Sequence, residues 1–552
     1  MNRTRFISTL GPSCFNRKLV SEMVKFGSVS FRLNTAHIEP GYVTKTKKLL
    51  SGTTIDGKLK PSIIVDLKGP EIRAKFSPGE ILSIVKNKTY KIGDDGPADI
   101  ILNPGEVVSQ LDEGDIVLLS DGRVKMKVTG RNGERLMVKA LNSGKIRNNA
   151  RVNIPDKELN LGMITERDEV FLKEGIKEKV EFFALSFVQS VKNVEEFREK
   201  VEEYGGNQFV ISKIETRTGL RNADGICRAS DMIMVARGDL GVELPWQEIS
   251  IVQKGLIHKA HSYGIPSIVA TQILESMVEN EVPTRAEIND ISNAILDGAD
   301  ILMLSEETAV GKHPLQAVRV LNSVTKYVES KLSDYPEPEE FQGNRIAYAV
   351  AKSAKILSSD IRKDIVALTR SGSTVKMLSA LRPFGKIYVL SDNADLLRKL
   401  YLYNNAYPLD LKIKGKCIEE ITDEIIGSGI FPKGTMLVLT SGEPYFPFGG
   451  TNDVRCIVVG DFIGRGFATG PFCAGKATYG RDKKGDIFIS SKPDDSIPQQ
   501  SKGILFTYRP PLYKVDSLVR DGKTVVSSVI FRRSPNEGEF LNIDPHTGII
   551  YA

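Results

Sequence analysis

Four segments between Ile211 and Ala309 constrain this chain more than anything else in it. They read ISKIET (Ile211–Thr216), DMIMVARGDLG (Asp231–Gly241), SIVATQILES (Ser267–Ser276) and ADILMLSEETA (Ala299–Ala309). Each carries a short apolar, β-branched run, the texture of a strand covered on both faces. Each then ends on polar residues: Lys213 and Glu215, Asp239, Thr271, Ser305. Lys213, Asp239, Thr271 and Ser305 lie 26, 32 and 34 residues apart, with helix-length segments between them. That is the period of a βα unit in a parallel barrel, and polar residues at successive strand C-termini converge on one mouth. Glu215 and Asp239 on neighbouring strands suit a hard divalent ion, Mg2+ or Mn2+, which takes one or two carboxylates and fills its shell with water and phosphate. An internal Lys213–Glu215 ion pair is the plainer alternative, though such a buried pair is weak evidence of stabilisation.

At 552 residues the chain has room for three or four domains. Its 75 basic and 69 acidic residues are interspersed, giving a net charge of +6. A nucleic-acid binder would cluster basic residues with aromatics on one face, so no nucleic-acid partner is expected. Five cysteines without a CxxC pair read as reduced thiols, not as a disulfide framework or zinc site. The N-terminus lacks a long apolar run, and no stretch nears the roughly 18 apolar residues of a membrane span. A cytoplasmic protein without membrane attachment is the expectation.

Taken in order, residues 3–10 read as a first strand closed by Gly11-Pro12. VSFRLN is a second, presenting Arg32 and Asn34 at its end, and Ile63–Arg73 is a third, leading into a loop with Glu71 and Arg73. From there to Pro155 strand-like runs alternate with Gly, Asn and Asp turns, the texture of an all-β insertion. EFFALSFVQS (Glu181–Ser190) resumes the barrel. The proline- and acid-rich SDYPEPEEF (Ser333–Phe341) marks a boundary, and alternating helices and strands follow. The expected fold class is α/β: a TIM (β/α)8 barrel over 1–73 and 157–332, a β-barrel lid over 74–156, an open α/β domain over 341–469 and a β-rich extension over 470–552.

ISKIET, ARGDLG, ATQILESM and PTRAEINDISNAILDGADILMLSEETA, with TLGPS (Thr9–Ser13), RLN (Arg32–Asn34) and DLKGPEIR (Asp66–Arg73) upstream, resemble pyruvate kinases motif for motif. The resemblance runs from about Arg3 to Thr469 in the family's order. It implies phosphoryl transfer from phosphoenolpyruvate to ADP, giving pyruvate and ATP. It further implies catalytic roles for Lys213, Arg32, Thr271 and Ser305, and substrate contacts from Arg32, Lys213, Gly238, Asp239 and Thr271. Arg73, Asn34 and His37 would face nucleotide; Glu215 and Asp239 would hold Mg2+. Asn34, Asp66 and the Leu67 carbonyl would hold K+. Lys213 would offset charge on the phosphoryl in flight, and the two arginines would fork phosphate oxygens. The ARGDLG turn would present the Gly238 and Asp239 N–H groups to a carboxylate at a short helix N-terminus. Thr271 and Ser305 would serve proton delivery through water, with capping or a buried hydroxyl as the alternative for each. The family also implies a lid that closes over the mouth, a homotetramer, and a phosphorylated small-molecule effector. The effector loop would be TRSGST, with Thr369, Ser371, Gly372, Ser373 and Thr374 as a phosphate nest beside PFGGTN (Pro447–Asn452). An ordinary glycine turn is the alternative. The tail weakly resembles a phosphohistidine-type domain, but its His546 sits in a DPHTG turn and reads as a turn residue.

The chain departs from the family pattern in places. Ala36 and Leu67 stand where the potassium set has serine and threonine, while Glu71 matches potassium-dependent members; reduced or altered monovalent-cation dependence is expected. In ARVNIPD (Ala150–Asp156) the lid lysine is replaced by Ala150, with Arg151 next to it. Strand alternation sends neighbours to opposite faces, so Arg151 is not expected to stand in. Glu306 replaces a glycine at the mouth for no reason visible in the sequence. Two rivals stay open: a magnesium-dependent aldolase or lyase acting through a pyruvate enolate, which needs neither Lys213 nor a lid, and a metabolite sensor that keeps the fold without turnover.

Overall fold

Eight short strands close a parallel barrel: β1 (Arg5–Thr9), β2 (Ser28–Asn34), β3 (Ser62–Leu67), β4 (Phe182–Leu185), β5 (Phe209–Ile214), β6 (Met232–Ala236), β7 (Ser267–Ala270) and β8 (Ile301–Leu304). Sequence neighbours are spatial neighbours all the way round, and β8 returns to pair with β1. Every residue of β1, β3, β4, β6, β7 and β8 is buried, as continuous apolar runs require when helices cover them. Capping boxes start three barrel helices, at Thr165, Ser190 and Thr284. The last does more than cap: Glu287 also accepts the Ser276 N–H at 2.7 Å, tying the PTRAE helix to the loop after β7.

The structure is a computed structural model. It describes residues 2–552 except 56, 58, 78, 333–340, 416, 443–449, 461, 481–484 and 494. The Ser333–Glu340 part of the expected boundary and the Pro447–Gly449 part of PFGGTN therefore lie outside the described residues. The chain divides into two compact units, 1–345 with 375–382 and 393–410, and 346–374 with 383–392 and 411–552. Among the described residues no helix is long and apolar enough to cross a membrane. Cys14, Cys227 and Cys473 are buried and Cys417 and Cys456 exposed, all as free thiols.

Within the first unit, seven strands from Ile72–Lys75 to Ala150–Asn153 close a second, mostly antiparallel barrel. Its alternating strands send Ile92, Leu102, Val117, Val128 and Val138 inward. The strand that leaves β3 and the one that returns pair antiparallel, Ala150 opposite Ala74 and Arg151 opposite Arg73. This two-stranded ribbon joins the insertion to the barrel mouth.

In the second unit, Ile365–Leu368 pairs parallel with Ile387–Leu390 and Met436–Ser441, and Asp453–Val458 adds antiparallel. The tail closes a third barrel of seven strands. That barrel begins earlier than residue 470: Phe462–Thr469 pairs with Thr524–Phe531 and with Ile549–Tyr551. FIGRGFAT hides its strand character behind two glycines. A Cβ on Gly464 would meet the Ile530 carbonyl oxygen at 2.7 Å, so close backbone approach requires glycine there. His546 lies in an exposed turn, its N–H donating to Asp544 Oδ1 at 2.9 Å.

Candidate active site

Lys213 and Glu215 leave the end of β5 two residues apart, so alternation puts both on one face. Lys213 Nζ lies 2.9 Å from Glu215 Oε1 and 3.3 Å from Asp66 Oδ1, and donates to Ser186 Oγ at 2.8 Å. From β2, Arg32 Nε reaches the other Asp66 oxygen at 2.6 Å, and Nη1 donates to Thr9 Oγ1 at 3.2 Å. Asp66 thus binds two cations at once. Burial opposes the Lys213 ammonium, but Asp66 and Glu215 more than offset it and hold the group up at about 12. Burial also opposes ionisation of Asp66, yet Lys213 and Arg32 keep its carboxyl below the usual range. Glu215 goes the other way: burial pushes it up and the negative charge of Asp239 adds to this, against the pull of Lys213.

Asp239 belongs to the short helix Arg237–Glu243 after β6. Its Oδ1 pairs with Arg151 Nη1 on the returning ribbon strand. Arg151 Nε lies 3.7 Å from Glu71 Oε1, and its guanidinium stacks 5.2 Å from the Phe187 ring centroid. Arg73 donates to Glu71 at 2.5 Å and to the Asn149 carbonyl at 3.2 Å. Alternation does send positions 150 and 151 to opposite faces, and it is position 151 that shares the cleft face with Arg73.

Thr271 ends β7 with φ 66, and Gln272 follows at φ 54. A β-branched residue in this region is strained by about 1–3 kcal/mol, and such strain collects at functional sites. Arg237 holds the turn, donating to the Thr271 carbonyl at 2.6 Å and the Gln272 carbonyl at 3.2 Å while pairing with Asp290 at 2.6 Å. The turn places Thr271 Oγ1 where it accepts the Gly238 N–H at 3.0 Å. The Gly238 donor expected to face a substrate carboxylate is thus engaged by threonine. Ser305, at the end of β8, buries its hydroxyl without a hydrogen-bond partner among the described residues. Its N–H donates to Glu307 at 2.6 Å. His37, Ala36 and Glu306 are exposed, and nothing in the structure explains Glu306.

Known proteins carry the same organisation. The family model described as pyruvate kinase, barrel domain, matches residues 1–318, and that described as pyruvate kinase, alpha/beta domain, matches 344–457. The chain belongs to the pyruvate kinase family. It is 47% identical to a pyruvate kinase of Thermoplasma acidophilum, across 99% of this chain and 98% of that one. It is 37% identical to a pyruvate kinase of Thermotoga maritima, across 83% of this chain and 100% of that one. A crystal structure of a pyruvate kinase from Cryptosporidium parvum superposes with a TM-score of 0.74 at 28% identity, covering 83% of this chain and 96% of that one. The chain is a kinase that transfers phosphoryl from phosphoenolpyruvate to ADP, and the lyase and sensor readings fall away.

For a pyruvate kinase, the donor set can be tested against the ions that the family uses. Two carboxylates following adjacent strands, Glu215 buried and pushed up by burial and by the charge of Asp239, form a cation-demanding pair. No third His, Cys, Asp or Glu joins them among the described residues, which leaves room for water and phosphate, as Mg2+ prefers. The potassium set fits poorly. Asn34 Oδ1 accepts the Ala36 N–H at 3.2 Å, the Leu67 carbonyl accepts the Ser186 hydroxyl at 2.8 Å, and both Asp66 oxygens hold protein cations.

Sequence reasoning missed Ser186, Phe187 and Arg237. Ser186 lies 27 residues before Lys213, the period that found the other strand ends, so SFVQS carried the same signal. Phe187, with φ 56, donates its N–H to Glu215 Oε2 at 2.9 Å and fixes that carboxylate. Arg237 sits inside ARGDLG, where the sequence signal is carried by the glycine and aspartate.

Proposed function

We propose that the barrel mouth runs the family reaction with Lys213, Arg32, Glu215, Asp239 and Thr271 in the roles that their positions support. The observation that carries this is a lysine, its side chain only 12% exposed, held charged between Asp66, Glu215 and Ser186 at a strand C-terminus. Its point charge offsets the negative charge that develops on the phosphoryl group between donor and acceptor oxygens. Arg32, locked through Asp66 into the same network, forks the phosphate of phosphoenolpyruvate. Arg73, from the ribbon, binds nucleotide phosphate, with Asn34 and the exposed His37 beside it.

Glu215 and Asp239 would hold Mg2+, which when bound neutralises phosphate charge and orients the reacting oxygens. Glu215 is aimed by the Phe187 N–H, a fixed carboxylate of the kind such binding needs. Thr271, held in its strained turn by Arg237, orders a water that delivers a proton to the enolate carbon; its hydroxyl is too weak an acid to do so directly. Ser305 stands on the same rim as a second hydroxyl. No step is assigned to K+. Replacing Glu215 by Gln should raise the magnesium concentration for half-maximal rate by at least roughly tenfold; an unchanged requirement would remove Glu215 from the metal role.

The same reading includes a homotetramer, a cytoplasmic location and an effector phosphate at Thr369–Thr374. Supporting the last, Gly372 turns at φ 89 and donates to Thr369 Oγ1 at 2.9 Å, Ser371 and Ser373 hydroxyls stand 3.2 Å apart, and Thr374 meets Thr451 at 2.7 Å. Titrating sugar phosphates and nucleoside monophosphates against Ser371→Ala tests it, with loss of rate activation as the expected result.

A further inference from the structure

Arg151 occupies a position that the reaction leaves unexplained. It comes from the ribbon strand that returns from the inserted barrel, yet its guanidinium sits on the carboxylate of Asp239 at the mouth of the other barrel. It is only 18% exposed, closed in by Asp239, Glu71 and the Phe187 ring. Directly across the ribbon stands Arg73, a like charge that would oppose this placement in the absence of acids. Asp239 and Glu71 supply them: burial lowers the readiness of Arg151 to stay charged, but these carboxylates and Glu215 outweigh it. Phe187 links the pieces, stacking beneath the guanidinium through its ring while its N–H holds Glu215. The cation therefore lies over both carboxylates of the proposed metal pair, bonded to one and in the field of the other.

We propose that Arg151 is a tethered counter-cation of Asp239, which a divalent ion has to displace, so that metal entry and release of the ribbon strand from the barrel mouth are one event. This rests on the reading of Glu215 and Asp239 as metal ligands. One carboxylate oxygen cannot give full charge to both a guanidinium and a hard divalent ion, and the divalent ion carries twice the charge at shorter range. Without a metal the arginine keeps two repelling carboxylates close together. With a metal it is left with Glu71 and is free to meet an anionic phosphate, for which its fork is suited.

The experiment titrates Mn2+ alone against the full chain without substrate or nucleotide, reading free ion by its electron paramagnetic resonance signal. Asp239→Asn should weaken binding. Arg151→Ala should tighten it by roughly tenfold, about 1.4 kcal/mol, and Arg151→Lys should lie between parent and alanine. In the unsubstituted chain, Mn2+ should speed amide hydrogen exchange over Ala150–Asn153, a readout that does not depend on any variant folding. If Asp239→Asn leaves Mn2+ binding unchanged, the metal-site reading fails. If Asp239→Asn weakens binding but Arg151→Ala does not tighten it, or Mn2+ leaves exchange at Ala150–Asn153 unchanged, the counter-cation fails and the metal site stands.

Discussion

At the scale of single residues, the site is held by side chains that never touch the reacting atoms. Arg237 is the clearest case, because it fixes two consecutive positive-φ residues through their carbonyls. Replacing it by Lys keeps the charge but loses the fork, so Thr271 should relax out of its strained turn. Steady-state kinetics should then show kcat reduced by roughly ten- to a hundredfold with a smaller change in KM for phosphoenolpyruvate; equal loss in both, or none, would detach Arg237 from Thr271. The potassium residues lead to a second expectation. With Asn34, Leu67 and Asp66 engaged by protein donors, rates in potassium and in a bulky organic cation at equal ionic strength should agree within about twofold. A steep potassium requirement would refute this.

At the scale of elements, the barrel is closed at its N-terminal end by a buried charge cluster well away from the chemistry. Asp300, just before β8, lies 2.8 Å from Arg382 and 3.0 Å from His261, and accepts the Ser267 N–H at the start of β7 at 2.8 Å. Residues at this end of a parallel barrel serve stability. Asp300→Asn removes a buried carboxylate that pairs with Arg382 and His261 and should cost about 3–5 kcal/mol in chemical denaturation. Burial pushes the Asp300 carboxyl up, but Arg382 and His261 bring it down to about 2, below its ordinary 3.8. A depressed value means that the stabilisation is present above about pH 4 and is lost as pH falls toward 2. The parent, compared with Asp300→Asn, should therefore lose its advantage across that window; an advantage constant down to pH 2 would count against the cluster. The strands themselves were legible because burial on both faces leaves uninterrupted apolar runs. What a sequence does not display is which strand-end side chains meet: the join of Arg32 to Lys213 through Asp66 depends on β2, β3 and β5 being brought together by closure.

At the scale of the whole molecule, the sequence separates barrel, insertion, α/β sheet and tail by texture, but misplaces the last junction. Glycines at 464 and 466 disguise a strand whose partners lie some sixty and eighty residues further on. Ending the chain after residue 469 should leave Phe462–Thr469 with neither neighbour and expose Ile463, while ending it after 460 removes the strand whole. The shorter product should melt higher and elute more cleanly in size-exclusion chromatography, despite having fewer residues; the reverse order would place the strand outside the tail barrel. The place of Arg151 at the mouth was not legible for a related cause, since alternation says which residues share a face but not which face meets the mouth. The central claim is that a charged Lys213, held between Asp66 and Glu215, carries phosphoryl transfer in this mouth. The most direct measurement is pyruvate formed from phosphoenolpyruvate and ADP with magnesium, comparing the parent chain with Lys213→Met. Turnover is expected in the parent and a loss of at least roughly a thousandfold in the variant, with circular dichroism unchanged; a variant that retains most of the parent rate would contradict a charge role for Lys213.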